Sequence, residues 1–205
     1  YNFASGAGAK LVTLGTTNGA SSLALKYGTA DFTLASATGT VISALDTGEI
    51  TYPLQTAFMA YLPSADNNVT GDGTAFTVGS VTALTEVFDQ NSDFNTNGTF
   101  TAPVTGRYTF TAAGAIAVPV AGGTVTNINI VTSNRTILGF SGPTANSCVG
   151  YAGGNGWQFM GTSITTDMDA ADTATLTLGV SGGAKTADVQ GTTVPLTWFS
   201  GFLTC

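Results

Sequence analysis

Five aspartates are the residues of this chain that could support acid–base chemistry: Asp89, Asp93, Asp167, Asp169 and Asp172. Two carboxyl groups that flank a glycosidic bond can hydrolyse it, one as the acid and the other as the base or nucleophile. No cluster of aromatic and acidic residues singles out a pair among them, and only two glutamates are present. The chain has no histidine, which excludes Ser-His-Asp and Cys-His nucleophiles and histidine-based zinc sites. We therefore predict that the protein is not an enzyme and has no catalytic residue.

A second candidate for chemistry is a segment with the oxygen spacing of a calcium loop. Asp66, Asn68 and Thr70 stand at its first, third and fifth positions, and Gly71 stands at the sixth. The twelfth position is Thr77, where such a loop needs a bidentate glutamate. We interpret this segment as a polar turn, and the aspartates between residues 167 and 172 as an exposed turn before a strand. No metal site and no cofactor are predicted.

The composition indicates a folded all-β protein. Hydrophobic residues make up 43% of the chain, and 27 glycines cut the β-branched and aromatic runs into short lengths. No window keeps a helical apolar rhythm without a glycine, so almost no helix is expected. Only 8% of the residues are charged, against roughly 25% in an ordinary soluble domain. A polar but uncharged exterior favours a protein displayed on a particle or cell surface.

The net charge of −7 argues against partners that are themselves negatively charged. Lys and Arg together number five and are scattered along the chain, whereas nucleic acids and anionic membranes attract clustered cations. The longest apolar runs fall far short of the roughly 20 residues that cross a bilayer. We predict neither nucleic-acid binding nor membrane insertion.

Residues 1–52 differ from the rest of the chain. Gly28, Gly39 and Gly48 punctuate short runs that alternate between apolar and polar residues, as turns do between thin strands. A small sheet is marginal in water on its own, and three chains wrapped about an axis would cover it. We predict a β-rich stem over residues 1–52 and a head over residues 53–205.

About ten strands are predicted in the head, a number that suits a two-sheet antiparallel jelly roll. They include residues 57–62, 75–81, 85–88, 107–117, 125–131, 136–140, 157–164, 174–180 and 196–203, whereas residues 66–73 are predicted as a loop. Within residues 174–180 the apolar residues alternate with threonines, so this strand is expected to be solvated on one face.

The last strand is apolar on both faces. Trp198 and Phe202 lie on one side, and Phe199 and Leu203 lie on the other. An antiparallel strand of this kind has to be covered twice, once by its own sandwich and once by something else. A neighbouring subunit is the expected cover.

Residues 94–110, in the middle of the head, read as a strand–turn–strand unit with Phe100, Gly106, Tyr108 and Phe110 at fixed spacing. In the turn, Pro103 fixes φ and Gly106 is expected to allow a positive φ. The spacing resembles the signature of the C1q-like domain, while residues 58–62 and 199–203 resemble the first and last strands of that family. The resemblance spans about 150 residues, the size of one domain, and implies a C1q/TNF-type jelly roll.

A short stem that leads into such a head resembles the fibre and spike proteins of tailed bacteriophages. The resemblance implies a homotrimeric virion protein whose stem binds other virion proteins and whose head binds a glycan or protein on the host cell surface. The expected location is the surface of an extracellular particle. Two alternatives stay open: a head fibre or decoration protein that stabilises the capsid, and a secreted C1q-like adhesin.

Contacts with a ligand are expected on loops that a rigid sandwich displays at its distal end. The candidates are residues 66–73, 142–156 and 181–191, and the individual ligand-binding residues are unknown. Tyr151 and Trp157 could stack on a sugar ring, but Trp157 begins a strand and is expected in the core.

Cys148 and Cys205 are the two cysteines. A disulfide between them would close a long loop and could stabilise the fold by about 4 kcal/mol. A virion assembled in a reducing cytoplasm favours two thiols instead.

Overall fold

The computed structural model describes residues 30–117, 124–143 and 156–205, and the chain divides into two compact units, residues 1–53 and 54–205. The alternating runs predicted before residue 30 lie outside the described residues. The described residues form strands and turns, without a helix. Within them, accordingly, no helix has the length and apolarity that spanning a membrane requires.

The described part of the first unit is a small antiparallel sheet. Its strands are β1 (Phe32–Ser36), β2 (Gly39–Ala44) and β3 (Ile50–Thr51), paired in that order. Cross-strand pairing places Phe32 beside Ala44 and Leu34 beside Ile42, so these four residues share one face. Half of Leu34 is exposed, as is 60% of Ile50, so this sheet buries little of its apolar surface by itself.

The second unit contains the remaining strands. They are β4 (Ala57–Tyr61), β5 (Asp66–Thr70), β6 (Ala75–Thr77), β7 (Thr85–Gln90), β8 (Phe94–Asn95), β9 (Thr99–Thr101), β10 (Gly106–Ala117), β11 (Val125–Thr132), β12 (Thr136–Pro143), β13 (Trp157–Met168), β14 (Thr173–Ser181), β15 (Ala187–Val189) and β16 (Trp198–Leu203).

These strands form two antiparallel sheets. In the first sheet, β13 pairs along the whole of β10, while β16 and β15 pair with different parts of its other edge; β4 and β7 follow β16, and β5 follows β15. The second sheet has the order β12-β11-β14-β9-β8, with β6 also paired to β14. The predicted all-β fold with two antiparallel sheets, of jelly-roll type, is confirmed.

Aromatic side chains fill the space between the sheets. Phe58 of the first sheet stacks on Phe94 and Phe100 of the second, with ring centroids 4.5 and 5.1 Å apart, and meets Phe199 edge-on at 5.1 Å. Phe110 packs edge-on against Phe100 at 5.5 Å. Five aromatic residues on which the C1q-like resemblance was based therefore meet in one core, where they are almost completely buried: Phe58, Phe100, Tyr108, Phe110 and Phe199.

Several predicted boundaries are wrong. Residues 66–70 were predicted as a loop but form β5, because they pair with the short strand β15. The strand predicted over 75–81 ends at Thr77, and β13 extends to Met168 because β10 pairs with its full length. The expectation that β14 is solvated on one face also fails at Thr177, which is only 6% exposed. The Asn129 side chain of the neighbouring strand β11 lies over it and donates to its hydroxyl at 3.4 Å.

Candidate functional site

The aspartates near residue 170 tie two turns together. Arg135 donates both of its terminal nitrogens to the Asp167 carboxylate, at 2.9 and 3.2 Å. The Asp172 carboxylate accepts from the Ser133 hydroxyl at 2.7 Å and from the Asn134 amide at 2.6 Å. Hydrogen bonds from Ser133, from the backbone of residue 169 and from Asn134, together with the charge of Arg135, lower the pKa of Asp172. These carboxylates hold the turns at 133–135 and 169–172 against each other.

Asp89 and Asp93, two of the five aspartates considered for acid–base chemistry, are brought together by a tight turn. The Asp89 carboxylate accepts from the backbone N–H groups of Asp93 and Phe94, both at 3.2 Å. The Thr56 hydroxyl donates to Asp93 at 2.8 Å. Burial raises the pKa of Asp93, the Thr56 hydrogen bond opposes that shift, and the nearby Asp89 charge adds to it. Both carboxylates have structural partners in the fold.

The oxygens of the calcium-like segment do not converge. Asp66 is buried and accepts from the Thr82 hydroxyl at 2.6 Å, whereas Asn68 is exposed with a φ of 56°. The Thr70 hydroxyl donates to the Thr74 carbonyl oxygen at 2.6 Å. Across the part of the chain that the structure describes, no three Asp, Glu or Cys side chains are grouped as a metal site would need.

The described ends of the three segments predicted to contact a ligand lie at the same end of the second unit, whereas residues 144–155 of the second segment lie outside the described residues. Ala117, the last residue of β10, pairs with Trp157 of β13 on one side and with Asp188 beside it on the other. In the second sheet β11 begins at Val125, opposite the last residues of β12 and β14. We call this the loop end, defined by residues 71–74, 117, 124–125, 143, 156–157 and 181–187. Tyr151 and Cys148 lie outside the described residues, whereas Cys205 is an exposed free thiol.

Two of these segments are joined to each other. β5 pairs with β15, and the Gly183 N–H donates to the Gly71 carbonyl oxygen at 3.0 Å. The turns beyond this ribbon expose Asp72 and Lys185. Hydrogen bonds to Thr74 are the main reason that the pKa of Asp72 is lowered, and Lys185 contributes the least. The loop end is therefore built on paired strands that hold its turns in place.

The first residues of the second unit lie at the end opposite the loop end. Ala57 pairs with Phe202, and Phe202 pairs with Thr109 near the start of β10. We call this the base end, defined by residues 54–57, 102–106, 133–135, 169–172 and 203–205. The strand β4 runs from the base end towards the loop end, because its partner β16 ends at the base.

The first sheet exposes aromatic residues on the face that points away from the core. Trp157 is 45% exposed, Phe159 is 60% exposed, and their rings meet edge-on with centroids 6.2 Å apart. Phe202 and Phe88 are also nearly half exposed on this face. We call this the outer apolar face, defined by Met59, Tyr61, Phe88, Trp157, Phe159, Trp198 and Phe202.

The expectation that Trp157 lies in the core is wrong. Gln158 pairs with the inward-facing Ile116, which turns Gln158 inwards and Trp157 outwards. The same register turns Phe159 outwards. Sequence reasoning did not identify Phe159 as an exposed residue. The run from Trp157 to Met160 has large apolar side chains on both faces of the strand, and that signal could have identified it.

The last strand has the two apolar faces that were predicted. Phe199 is 1% exposed in the core, whereas Phe202 is 45% exposed on the outer apolar face. That a neighbouring subunit covers Phe202 stays a prediction.

A second apolar patch lies on the edge strand β12. Leu138 is 60% exposed and Phe140 is 40% exposed. Between them, a Cβ atom at Gly139 would lie 2.4 Å from the Thr162 side chain of β13. This edge patch, defined by Leu138 and Phe140, therefore lies next to the strand that carries Trp157 and Phe159.

The search for related proteins finds similarity at the level of structure. No family model and no curated protein matches the sequence. The globular domain of zebrafish complement 1qA protein is 14% identical, with a TM-score of 0.47 over 74% of this chain and 98% of that chain. Murine APRIL is 8% identical, with a TM-score of 0.47 over 73% of this chain and 98% of that chain. Eiger TNF from S. frugiperda is 7% identical, with a TM-score of 0.48 over 74% of this chain and 94% of that chain.

Proposed function

We propose that the protein is a non-enzymatic attachment protein: a homotrimeric fibre or spike on the surface of a tailed-bacteriophage particle. Its first unit binds other virion proteins, and its second unit binds a glycan or protein of the host cell surface. One observation supports this division of labour above the others. The chain enters the second unit at the base end, whereas the turns that suit ligand contact lie at the loop end.

Self-association is supported by the apolar surface that one chain leaves uncovered. The outer apolar face and the edge patch are two different surfaces, so a contact between the edge of one copy and the face of the next is heterologous. Such contacts close into a ring when the rotation between copies allows it. The number three comes from the resemblance to C1q-like heads and phage fibres.

Adhesion is supported by the loop end. Its turns are exposed, held by the β5–β15 ribbon, and largely uncharged. Three such ends on one trimer, and several trimers on one particle, would multiply a weak contact by raising its effective concentration.

Competition for adsorption tests the proposal. Purified protein, added in excess to host cells before the particle, is expected to lower adsorption of the particle. The variant Lys185→Glu, which adds an acidic side chain at the loop end, is expected to compete less well. Val104→Glu, at an exposed residue of the base end, is the matched control and is expected to compete like the wild type. Unchanged adsorption at saturating protein would contradict host attachment and favour a capsid decoration role.

A further inference from the structure

The first residues of the second unit are held where the chain enters it. The Asn91 side chain donates to the Leu54 carbonyl oxygen at 2.7 Å, and the Thr56 hydroxyl donates to the Asp93 carboxylate at 2.8 Å. Thr56 is only 3% exposed. A hydrogen bond to a carboxylate is stronger than one between neutral groups, so the Thr56 bond is the firmest of this set.

The end of the chain holds the same segment from the other side. The Gln55 side chain donates to the Leu203 carbonyl oxygen at 2.8 Å, and the Leu203 N–H donates to the Thr56 carbonyl oxygen at 3.1 Å. We call these four hydrogen bonds the junction latch, defined by residues 54–56, Asn91, Asp93 and Leu203. Three separate parts of the chain meet in it.

The turn that supplies Asn91 and Asp93 is itself fixed. Asn91 and Ser92 have positive φ values of 79° and 59°, a conformation that non-glycine residues adopt at a cost of about 1–3 kcal/mol. The Asp89 carboxylate accepts the backbone N–H groups at both residues that follow the turn. The latch residues are thus presented by a backbone that has little freedom to move.

The strand behind the latch is paired on both sides. β4 pairs with β16 on one edge and with β7 on the other. Tension between Leu54 and the loop end acts along β4, parallel to the strand axes, and loads all of these ladder hydrogen bonds at once. Tension between Leu54 and Cys205 acts differently, since both lie at the base end, and opens the β4–β16 ladder from the Ala57–Phe202 pair one bond at a time.

We propose that the junction latch and β4 form a mechanical clamp, which resists tension applied between the N-terminal side of the second unit and its loop end. The clamp depends on strand pairing and on the latch hydrogen bonds alone. It goes beyond the proposed function, because it holds whether or not the loop end binds a host. An attachment protein that carried the drag of a particle would experience tension in this direction.

Single-molecule force spectroscopy on the full chain tests the direction of the clamp. One handle is attached at the N-terminus, and the second is attached either to an azide-bearing residue that replaces Lys185 or to Cys205. The second unit, recognised by its contour length, is expected to unfold at a several-fold higher force with the handle at residue 185. Equal forces in the two geometries, or a lower force with the handle at residue 185, would overturn the proposal.

Variants test the latch itself at constant force with the handle at residue 185. Thr56→Val removes one charge-assisted hydrogen bond and is expected to unfold about tenfold faster. Gln55→Ala, which removes a partly exposed hydrogen-bond donor, is expected to unfold several-fold faster than the wild type. It provides the test of the latch if Thr56→Val does not fold. Thr105→Val is the control, because it removes the hydroxyl that donates to Asp169 and accepts from the Ala170 N–H at the base end, without touching β4. If the latch variants unfold at the same rate as the control variant, the junction latch does not contribute to mechanical resistance, and that part of the proposal is wrong.

Discussion

Glycines decide how closely the segments of the second unit approach each other. Gly98 has a φ of +88°, and a Cβ atom there would lie 1.9 Å from the Val78 carbonyl oxygen. Gly106, predicted to need a positive φ, is absent from the residues that have one; a Cβ atom there would instead lie 2.8 Å from the Cys205 carbonyl oxygen. Gly106 therefore makes room beside β10 for the carbonyl group of Cys205.

Gly98→Ala is expected to destabilise the second unit for two reasons, the positive φ and the collision with the Val78 carbonyl group. Gly73→Ala is the matched control, because Gly73 has a φ of +94° and nothing within 4 Å of the added carbon. Each should lose about 1 kcal/mol or more from backbone strain, and Gly98→Ala should lose clearly more. Urea denaturation midpoints measure the difference. Equal midpoints would mean that the backbone at Val78 moves away without cost.

At the scale of elements, carboxylates fasten turns to their neighbours. Asp172 holds the turn at 133–134, and Asp93 holds the segment before β4. The two differ in environment, since hydrogen bonds lower the pKa of Asp172 whereas burial raises the pKa of Asp93. Folding stability should therefore depend on pH in opposite directions at these two positions.

The variants Asp172→Asn and Asp93→Asn test this difference. Asp172 contributes stability above its ordinary pKa of 3.8, and that contribution is lost as the pH falls through its lowered folded-state pKa. Asp93 contributes stability below 3.8, and that contribution is lost as the pH rises through its raised folded-state pKa. Relative to the wild type, Asp93→Asn should therefore gain stability as the pH rises.

Free energies of unfolding measured from about pH 3 to about pH 7 give the two slopes, because each slope counts protons taken up on unfolding. The free energy of unfolding of Asp172→Asn should decrease relative to that of the wild type as the pH rises over the acid part of this range. Slopes of the same sign for the two variants would contradict the assignment of the shifts to these residues.

At the scale of the whole molecule, the second unit has different surfaces for different contacts. Its core is closed by aromatic residues, but the outer apolar face leaves large side chains in water. Contiguous apolar surface of this kind marks an interaction site more often than a solvated exterior. Apart from Trp157, which belongs to both the loop end and this face, the residues that define the loop end and the base end lie outside the outer apolar face.

Phe159→Asp is expected to disperse the oligomer without unfolding the second unit, because Phe159 is 60% exposed in a single chain. The control is Val194→Asp, at a residue 68% exposed outside both apolar surfaces. Light scattering should give the wild type and the control about three times the chain mass of 20.6 kDa, and Phe159→Asp the mass of one chain. Circular dichroism should be the same for all three. A fully folded wild type with the mass of one chain would contradict the trimer.

The sequence determined the class of fold and the centre of its core. Phe58, Phe100, Tyr108, Phe110 and Phe199 could be recognised because their spacing resembles that of the C1q-like domain. Alternation alone would not have placed them in the core, since Trp157 and Phe159 alternate in the same way and face outwards. The two apolar faces of the last strand were also readable, since alternation along a strand fixes which residues share a face.

The tertiary structure alone decided which face each strand turns inwards and which turns lie together. Trp157 was placed wrongly because the register of β13 is set by its pairing with β10, far away in the sequence. The β5–β15 ribbon and the junction latch join residues more than 100 positions apart, such as Asn68 with Asp188 and Gln55 with Leu203. Such pairings depend on the closure of the whole sandwich, and no local pattern of residues records them.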